Sequence, residues 1–431
     1  MKKLLSVLLA LLMVFTLVGC GSTSDTSDDE TGETKVAYIL SEKGDTYSQG
    51  LCNNFKEAWL ALGGEIAEGD VVSFPSGTTN FSDYLQKAMD DGADVIFAPN
   101  STTVASNLLP NADDLGVECP ILAGDTWDDS VIADATLGTE LDVYCSTFFA
   151  ENEESELAKN FVDGIKAWIA EDDTKLNMNS GSTLISAVSA LGYDAYNVAY
   201  AAIEAAAAEK GTAMTSLDIA TALANLEFAD AVTGTIVFDD TGDAIKDTAF
   251  IKKANNSGES GFEFAKAQTI ENDAEKGTAK DYSGFNSVAL DTANKQIVIG
   301  VFEPTSGDNG AGGKREVLGI EYANSLKPTI EIDGEEYNIV LALSDNESKA
   351  DNAASSAGKI VEDGAMVVLG SYGSGVSIAA YPTFEAAGIP AIGVSCTNAS
   401  VTDGHDLYFR ICFLDPFQGT VMANFAWELV D

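Results

Sequence analysis

Apolar and polar positions alternate along this chain in a recurring form. Short unbroken apolar runs, of the length and β-branched content of buried strands, lead into polar or small-residue loops and then into stretches with apolar residues at helical spacing. The pattern predicts strands over 35–40, 65–74, 94–97 and 121–123, with helices over 51–62, 81–90 and 104–115. Strands and helices at this interval indicate a parallel, doubly wound sheet. Through 144–149 the rhythm breaks, and long helices take over at 154–170, 186–210 and 217–226. A strand and turn over 232–243 and strands over 248–252 and 262–264 come next, then an Asn/Gly/Ser/Glu/Lys-rich linker. The alternation resumes with a strand at 296–301, a helix at 316–325, strands at 337–343 and 365–369, a helix through 387, a strand at 389–393 and a last helix at 421–430.

Open sheets of this kind bind ligands beyond the carboxyl ends of their strands. Tyr47, the Asn100-Ser101-Thr102 stretch and Asp125-Thr126-Trp127 stand at three such ends. Two more follow in the last quarter of the chain, Gly370-Ser371-Tyr372-Gly373-Ser374-Gly375 and Val394-Ser395-Cys396-Thr397-Asn398. Both are hydroxyl-bearing, and the first opens a helix. Backbone N–H groups at a helix start favour negative charge, and small residues let a ligand approach the chain, so these loops form a candidate anion pocket.

Composition narrows the field. The 431 residues suffice for two domains, and a net charge of −45 argues against nucleic acid and anionic lipid surfaces as partners. Arginine occurs only at 315 and 410, and the setting of Arg410 points to a specific ion pair or hydrogen bond. His405 is the only histidine, which leaves no histidine-based triad or zinc set. The five cysteines after Cys20 show no metal spacing and read as buried thiols. The stretch 307–315 fails as a phosphate loop, because Asp308 stands at the first glycine position and Arg315 at the Ser/Thr position. At the N-terminus Lys2-Lys3, an apolar stretch over 4–17 and Leu17-Val18-Gly19-Cys20 resemble a bacterial lipoprotein signal. That resemblance implies a signal peptide over 1–19, lipidation of Cys20 and a disordered tether over 20–34.

The Gly370–Gly375 and Ser395–Thr397 loops, with Tyr408-Phe409-Arg410 and Asp415-Pro416-Phe417-Gln418-Gly419, resemble the N-terminal half of solute-binding proteins of the Leu/Ile/Val-binding type, which serve ABC importers. Tyr47-Ser48-Gln49-Gly50, Leu191-Gly192-Tyr193-Asp194 and Val232-Thr233-Gly234-Thr235 resemble the C-terminal half. The resemblance implies the type I periplasmic binding protein fold, α/β, with two doubly wound lobes joined by a three-crossover hinge. Because the second half comes first, the order reads as a circular permutation, with a fragment of a tandem or misassembled reading frame as the rival. One lobe would hold 35–147, 239–268 and 412–431, the other 148–238 and 296–411, with 269–295 as linker.

The implied protein is extracytoplasmic, lipid-anchored to the bacterial membrane, monomeric, without cofactor or enzymatic activity. It would bind an amino acid, branched-chain or otherwise hydrophobic or small, and deliver it to an ABC permease. The alternatives are a ligand sensor of the same fold feeding a receptor and a binder of small amides or other non-amino-acid solutes. Placed on the family motif, Ser374 and Thr397 fall at carboxylate-binding positions, Ser395 where a backbone carbonyl meets the α-ammonium, Asp125 at the acid for that ammonium, and Tyr47 at the aromatic closing from the other lobe. Tyr372, Asn100 and Trp127 complete the expected ligand set, and Tyr408, Arg410, Asp415 and Gln418 form the hinge motif.

Overall fold

The computed structural model describes residues 34–151 and 155–430, so the expected signal peptide, Cys20 and the expected tether up to residue 33 lie outside the described residues. The apolar run after Lys35 forms β1 (Val36–Glu42), buried at six of its seven positions. It turns at Asp45, whose side chain accepts from the Ser48 N–H, into α1 (Thr46–Ala61). In chain order follow β2 (Glu65–Ile66), β3 (Val72–Phe74), α2 (Ser82–Asp90), β4 (Val95–Phe97), α3 (Thr102–Leu115), β5 (Ile121–Ala123), α4 (Ser130–Thr136) and β6 (Val143–Thr147). These strands pair in parallel. Phe55 of α1 stacks on Phe97 of β4 with ring centroids 4.0 Å apart, both fully buried, which seats the helix on the sheet. Burying one such side chain contributes about 1.5–3 kcal/mol.

The structure departs from the sequence pattern at several places in this lobe: α4 is absent from the pattern, α1 begins at Thr46 rather than at 51, and two strand assignments change. The expected strand over 65–74 is divided, because Glu68 and Gly69 take positive φ of 60° and 75°. β2 therefore pairs with Val36–Ala37 and β3 with Leu40–Glu42. The stretch expected to break the pattern contains β6, whose buried Ser146 and Thr147 are bonded to Gln418 and Asp128. Polar strand positions satisfied by distant partners look like a loop to a hydrophobicity pattern.

The chain then forms α5 (Glu156–Ala170), α6 (Asp173–Met178), α7 (Ala187–Lys210), α8 (Ser216–Asn225) and a small ladder of β7 (Glu227–Phe228) with β8 (Ile236–Val237). It returns as β9 (Thr248–Ala254) and β10 (Phe262–Thr269), which extend the first sheet in antiparallel register. That sheet runs β10-β9-β6-β5-β4-β1-β2, with β3 also beside β1. The stretch 270–295 has little regular structure but is laid down on the protein, with Tyr282 and Leu290 buried. Next come β11 (Gln296–Glu303), α9 (Gly310–Leu326), β12 (Thr329–Ile332), β13 (Glu335–Asp345), α10 (Ala350–Glu362), β14 (Ala365–Leu369), α11 (Ser374–Ala387), β15 (Ala391–Gly393), β16 (Tyr408–Arg410) and α12 (Asp415–Leu429).

The second sheet runs β12-β13-β11-β14-β15-β16, parallel apart from the β12–β13 hairpin. The sequence pattern shows neither β12 nor α10. The buried face of α10 is Ala353, Ser356, Ala357 and Ile360, correct in spacing but too small and polar to register as an apolar stripe. α9 begins at Gly310, earlier than the expected 316. Its glycines are packing positions: a Cβ on Gly312 would enter the Tyr372 ring, and one on Gly319 would collide with the Ser189 carbonyl of α7.

α7 and α9 thus pack closely on the second sheet, while α12 joins the first lobe. Trp427 meets Trp59 edge-on at 5.2 Å, and Phe425 packs on Tyr144. Three short crossings between the lobes lie together: the Phe148 ring packs on Phe413 with centroids 4.1 Å apart, and Arg410 exchanges backbone hydrogen bonds with Gly242 and Ala244. Each sheet reverses its strand order beside its first strand, between β1 and β4 and between β11 and β14. These are the points at which open α/β sheets leave a crevice.

Candidate ligand-binding cleft

A cavity of 220 Å³ lies where the carboxyl ends of the two sheets meet. From the first lobe it is lined by the Asp45–Tyr47 turn after β1, Ser101 after β4 and Asp125 and Thr126 after β5. The second lobe contributes Asn309, Ser348, Ser395 and the start of α11. Gly375 in that first turn stands against Thr46 of the other lobe, so that a Cβ there would lie 3.1 Å from the Thr46 hydroxyl.

The α11 end is built to leave donors open. Its N-cap is Gly373, which offers no side-chain acceptor, so the first-turn N–H groups have no capping oxygen. Gly370, at φ 119°, brings the loop so close to β11 that a Cβ would strike the Phe302 carbonyl. The Tyr372 N–H donates to Glu303 Oε2 at 2.7 Å, and Tyr408 Oη donates to the Gly370 carbonyl at 2.8 Å. The loop is therefore held before any ligand arrives. Ser374 accepts from the Asn398 N–H at 3.3 Å, which ties the two hydroxyl-bearing loops together.

Across the cavity, Asp125 Oδ1 accepts from Tyr47 Oη at 3.0 Å and from Gln418 Nε2 at 2.8 Å. Burial raises its pKa to about 6, against the lowering effect of those two hydrogen bonds. Gly124 is needed beside it, since a Cβ would collide with Tyr47 Oη. The open positive end of α11 thus faces a buried carboxyl oriented by a tyrosine and a glutamine. The two are complementary to the opposite charges of a zwitterion.

Ser374, Ser395, Tyr47, Asp125 and Tyr372 come together around the cavity. Asn100, Trp127 and Thr397 do not. Asn100 turns inward, accepting from the Glu42 N–H at 3.2 Å and from Ser48 Oγ at 2.9 Å. Trp127 fills the core of the first lobe, its Nε1 donating to the Asn100 carbonyl at 3.0 Å. Thr397 is fully buried behind its loop against Asp415, whose pKa burial raises to about 7. Ser395 reaches the cavity, but its hydroxyl donates to Glu316 Oε1.

The motif residues after β15 act through others. Arg410 pairs with Asp243 at 2.6 Å and donates to the carbonyls of Cys396 at 2.8 Å and Asn398 at 2.5 Å, which fixes the Ser395 loop. Gln418 orients Asp125 and also donates to Ser146 Oγ at 2.8 Å.

Sequence reasoning missed the layer beneath the cavity. Glu303 and Glu316 are fully buried side by side under Tyr372 and Ser395, and burial followed by mutual repulsion raises Glu303, as burial raises Glu316. A carboxyl closing the apolar strand β11 was the available signal. Asp45 also lines the cavity and was missed, because the helix was expected only from 51, whereas α1 begins at Thr46 with Asp45 as its cap. Among the described residues no group of His, Cys, Asp or Glu is arranged to hold a metal ion, and no helix is long and apolar enough to cross a membrane.

A family model described as Periplasmic binding protein matches residues 28–259 and 296–429. Leu/Ile/Val-binding protein homolog 1 of Brucella abortus (strain 2308) is 31% identical over 153 residues, 33% of this chain and 41% of that protein. An amino acid binding protein of Pseudomonas aeruginosa is 33% identical over 132 residues, 30% of this chain and 35% of that protein. The matched part of the chain thus spans less than half the length of these curated relatives. Among solved structures, the leucine binding protein LivK of Thermotoga maritima MSB8 is 26% identical with a TM-score of 0.43, over 55% of this chain and 61% of that one. A periplasmic solute binding protein from Actinobacillus succinogenes 130z with bound D-allose is 11% identical with a TM-score of 0.44, over 92% of each chain.

Proposed function

Because the chain belongs to the periplasmic binding protein family, whose members bind solutes and are not enzymes, we propose that it is an extracytoplasmic receptor for an amino acid, feeding an ABC permease. The observation that carries this reading is the uncapped start of α11 facing Asp125 across one cavity shared by the two lobes. The ligand carboxylate takes the first-turn N–H groups and the Ser374 hydroxyl, and the ammonium takes Asp125, with Tyr47 closing from the side. Contacts from both lobes exist only when the lobes are together, so ligand binding stabilises that arrangement. The curated relatives' names support the amino acid as the ligand class. Cys20 anchors the receptor through a lipid, and the order of the two halves is a circular permutation. That order finds support in α12 packing on α1, with Lys35 Nζ bonded to the Trp427 carbonyl at 2.9 Å.

The test is a thermal-shift and calorimetric screen against the amino acids, each paired with its decarboxylated amine and its deaminated acid. Ligand at about 100 times its Kd adds about 2.7 kcal/mol of stability. The amino acid should shift the melt and both truncated forms should not. An amine that binds as well as its parent amino acid would remove the carboxylate assignment, and with it the reading. Recloning as 296–429 followed by 35–268 tests the permutation, the expected result being the same ligand and a similar affinity.

A further inference from the structure

We propose that the side chain of the bound amino acid carries a second cationic nitrogen, an amine or guanidinium, received by Asp45. This rests on the amino-acid reading above and specifies its ligand. It departs from the hydrophobic or small ligand that the sequence led us to expect.

Among the described residues that line the cavity, the aliphatic side chains are Ala350 and Val376, joined by the rings of Tyr47 and Tyr372, and there is no lysine or arginine. Its charges are two carboxylates, Asp45 and Asp125. With Asp125 and the start of α11 taken by the ammonium and carboxylate, the polar groups Asp45, Ser101, Asn309 and Ser348 remain in the wall, beside Ala350 and the Tyr372 ring. Ser348 Oγ already accepts from the Asn309 N–H at 3.0 Å and donates to the Ser306 carbonyl at 3.0 Å. It belongs to a mainly polar surface, in which Ala350 and the Tyr372 ring are the apolar parts. A branched aliphatic side chain would strip water from these groups and return no hydrogen bond, which is unfavourable.

The potential at this end is negative. Burial raises the Asp45 carboxyl despite hydrogen bonds from Ser48 and Tyr47 N–H groups, and Asp308 adds to the effect there and at Glu42. The Thr103 hydroxyl donates to the Asp308 carbonyl at 3.0 Å across the lobes, which brings this third acid to the same rim. Asp45 Oδ1 is committed to the Ser48 N–H at 2.6 Å as the cap of α1. A ligand cation offsets the burial of the carboxylate in the same way that a protein cation would.

The cap supplies a clean variant. Asn caps a helix about as well as Asp, so Asp45→Asn removes the charge and keeps the turn, and Asp45→Ser serves as a second capping replacement. Calorimetry of the protein against two pairs, arginine with citrulline and lysine with norleucine, compares a cationic with an uncharged side chain of similar length. We expect the cationic member of at least one pair to bind about tenfold tighter or more, and that ratio to fall below about threefold in both Asp45 variants while the neutral member still binds. Equal affinities, or tighter binding of norleucine, overturn the proposal and leave the amino-acid reading standing. A preference that survives in both variants overturns the role of Asp45. No binding of these four, nor of any other amino acid in the screen, overturns both readings together.

Discussion

The Arg315 guanidinium and the Asp129 carboxylate form a buried ion pair between the lobes, Nη1 to Oδ2 at 2.6 Å. Arg315 comes from α9 of the second lobe, Asp129 from the cap of α4 in the first. Nη2 adds hydrogen bonds to Ser130 Oγ at 2.9 Å and Ser180 Oγ at 3.1 Å. Burial raises the Asp129 carboxyl and the guanidinium lowers it. The pair is satisfied only while the lobes are together. If the lobes part on ligand release, as the proposed receptor role requires, both charges become solvated and the contact is lost.

Arg315→Gln should therefore leave Asp129 unpaired in the closed form and favour opening. We expect an affinity loss of about tenfold or more and a larger radius of gyration by small-angle X-ray scattering. Unchanged affinity and an unchanged radius would mean that the pair does not report on closure.

Asp125→Asn should weaken binding of an α-amino ligand by about 3–5 kcal/mol, because the buried ammonium loses its counter-charge. The amide oxygen can still accept from Tyr47 and Gln418, so the melting temperature without ligand should move little. Calorimetry with less than a tenfold loss would place the ammonium elsewhere.

Ser374→Ala and Thr397→Ala should now differ. Ser374 lines the cavity at the uncapped helix start, and its loss should cost about 1.5–3 kcal/mol of binding. Thr397 is fully buried and does not line the cavity, so its removal should alter the melting temperature and leave affinity within about twofold. Equal effects of the two on affinity would contradict the geometry.

Buried carboxyls set a pH dependence. Burial raises Asp125 to about 6 and Asp415 to about 7, and raises the Glu303–Glu316 pair. Each folded pKa lies above its unfolded value, so the native state binds more protons. The favourable contribution is full below the ordinary carboxyl range and is lost as pH rises through the folded values. Melts of the ligand-free protein should fall between about pH 5 and pH 8, and Glu316→Gln should flatten that fall. A melting temperature that climbs over this interval, or an equal slope in the variant, counts against the buried pair.

Much of the frame was legible in the chain. Apolar runs of strand length, glycine-marked helix ends and loops such as Gly370–Gly375 are local, because burial of a strand and close approach of a loop need particular residues in a short span. Tyr47, Asp125, Ser374 and Ser395 were readable for that reason: each stands at a strand end or helix start, where α/β sheets gather ligands. β12 and α10 were not, since a hairpin edge and a helix buried on small residues leave little periodicity.

The sequence by itself determined which segments could reach the cleft; the tertiary structure decided which side chains face it. Asn100 and Trp127 stand in the same kind of strand-end loop as Asp125, yet they turn inward because each finds its hydrogen-bond partner inside the lobe. Glu303, Glu316 and Asp45 gain their roles from neighbours far away in the chain: Ser395, Tyr372, and the Thr103–Asp308 contact between lobes. A side chain's direction and ionisation depend on which groups compensate its loss of water, and those groups are assembled only by the fold.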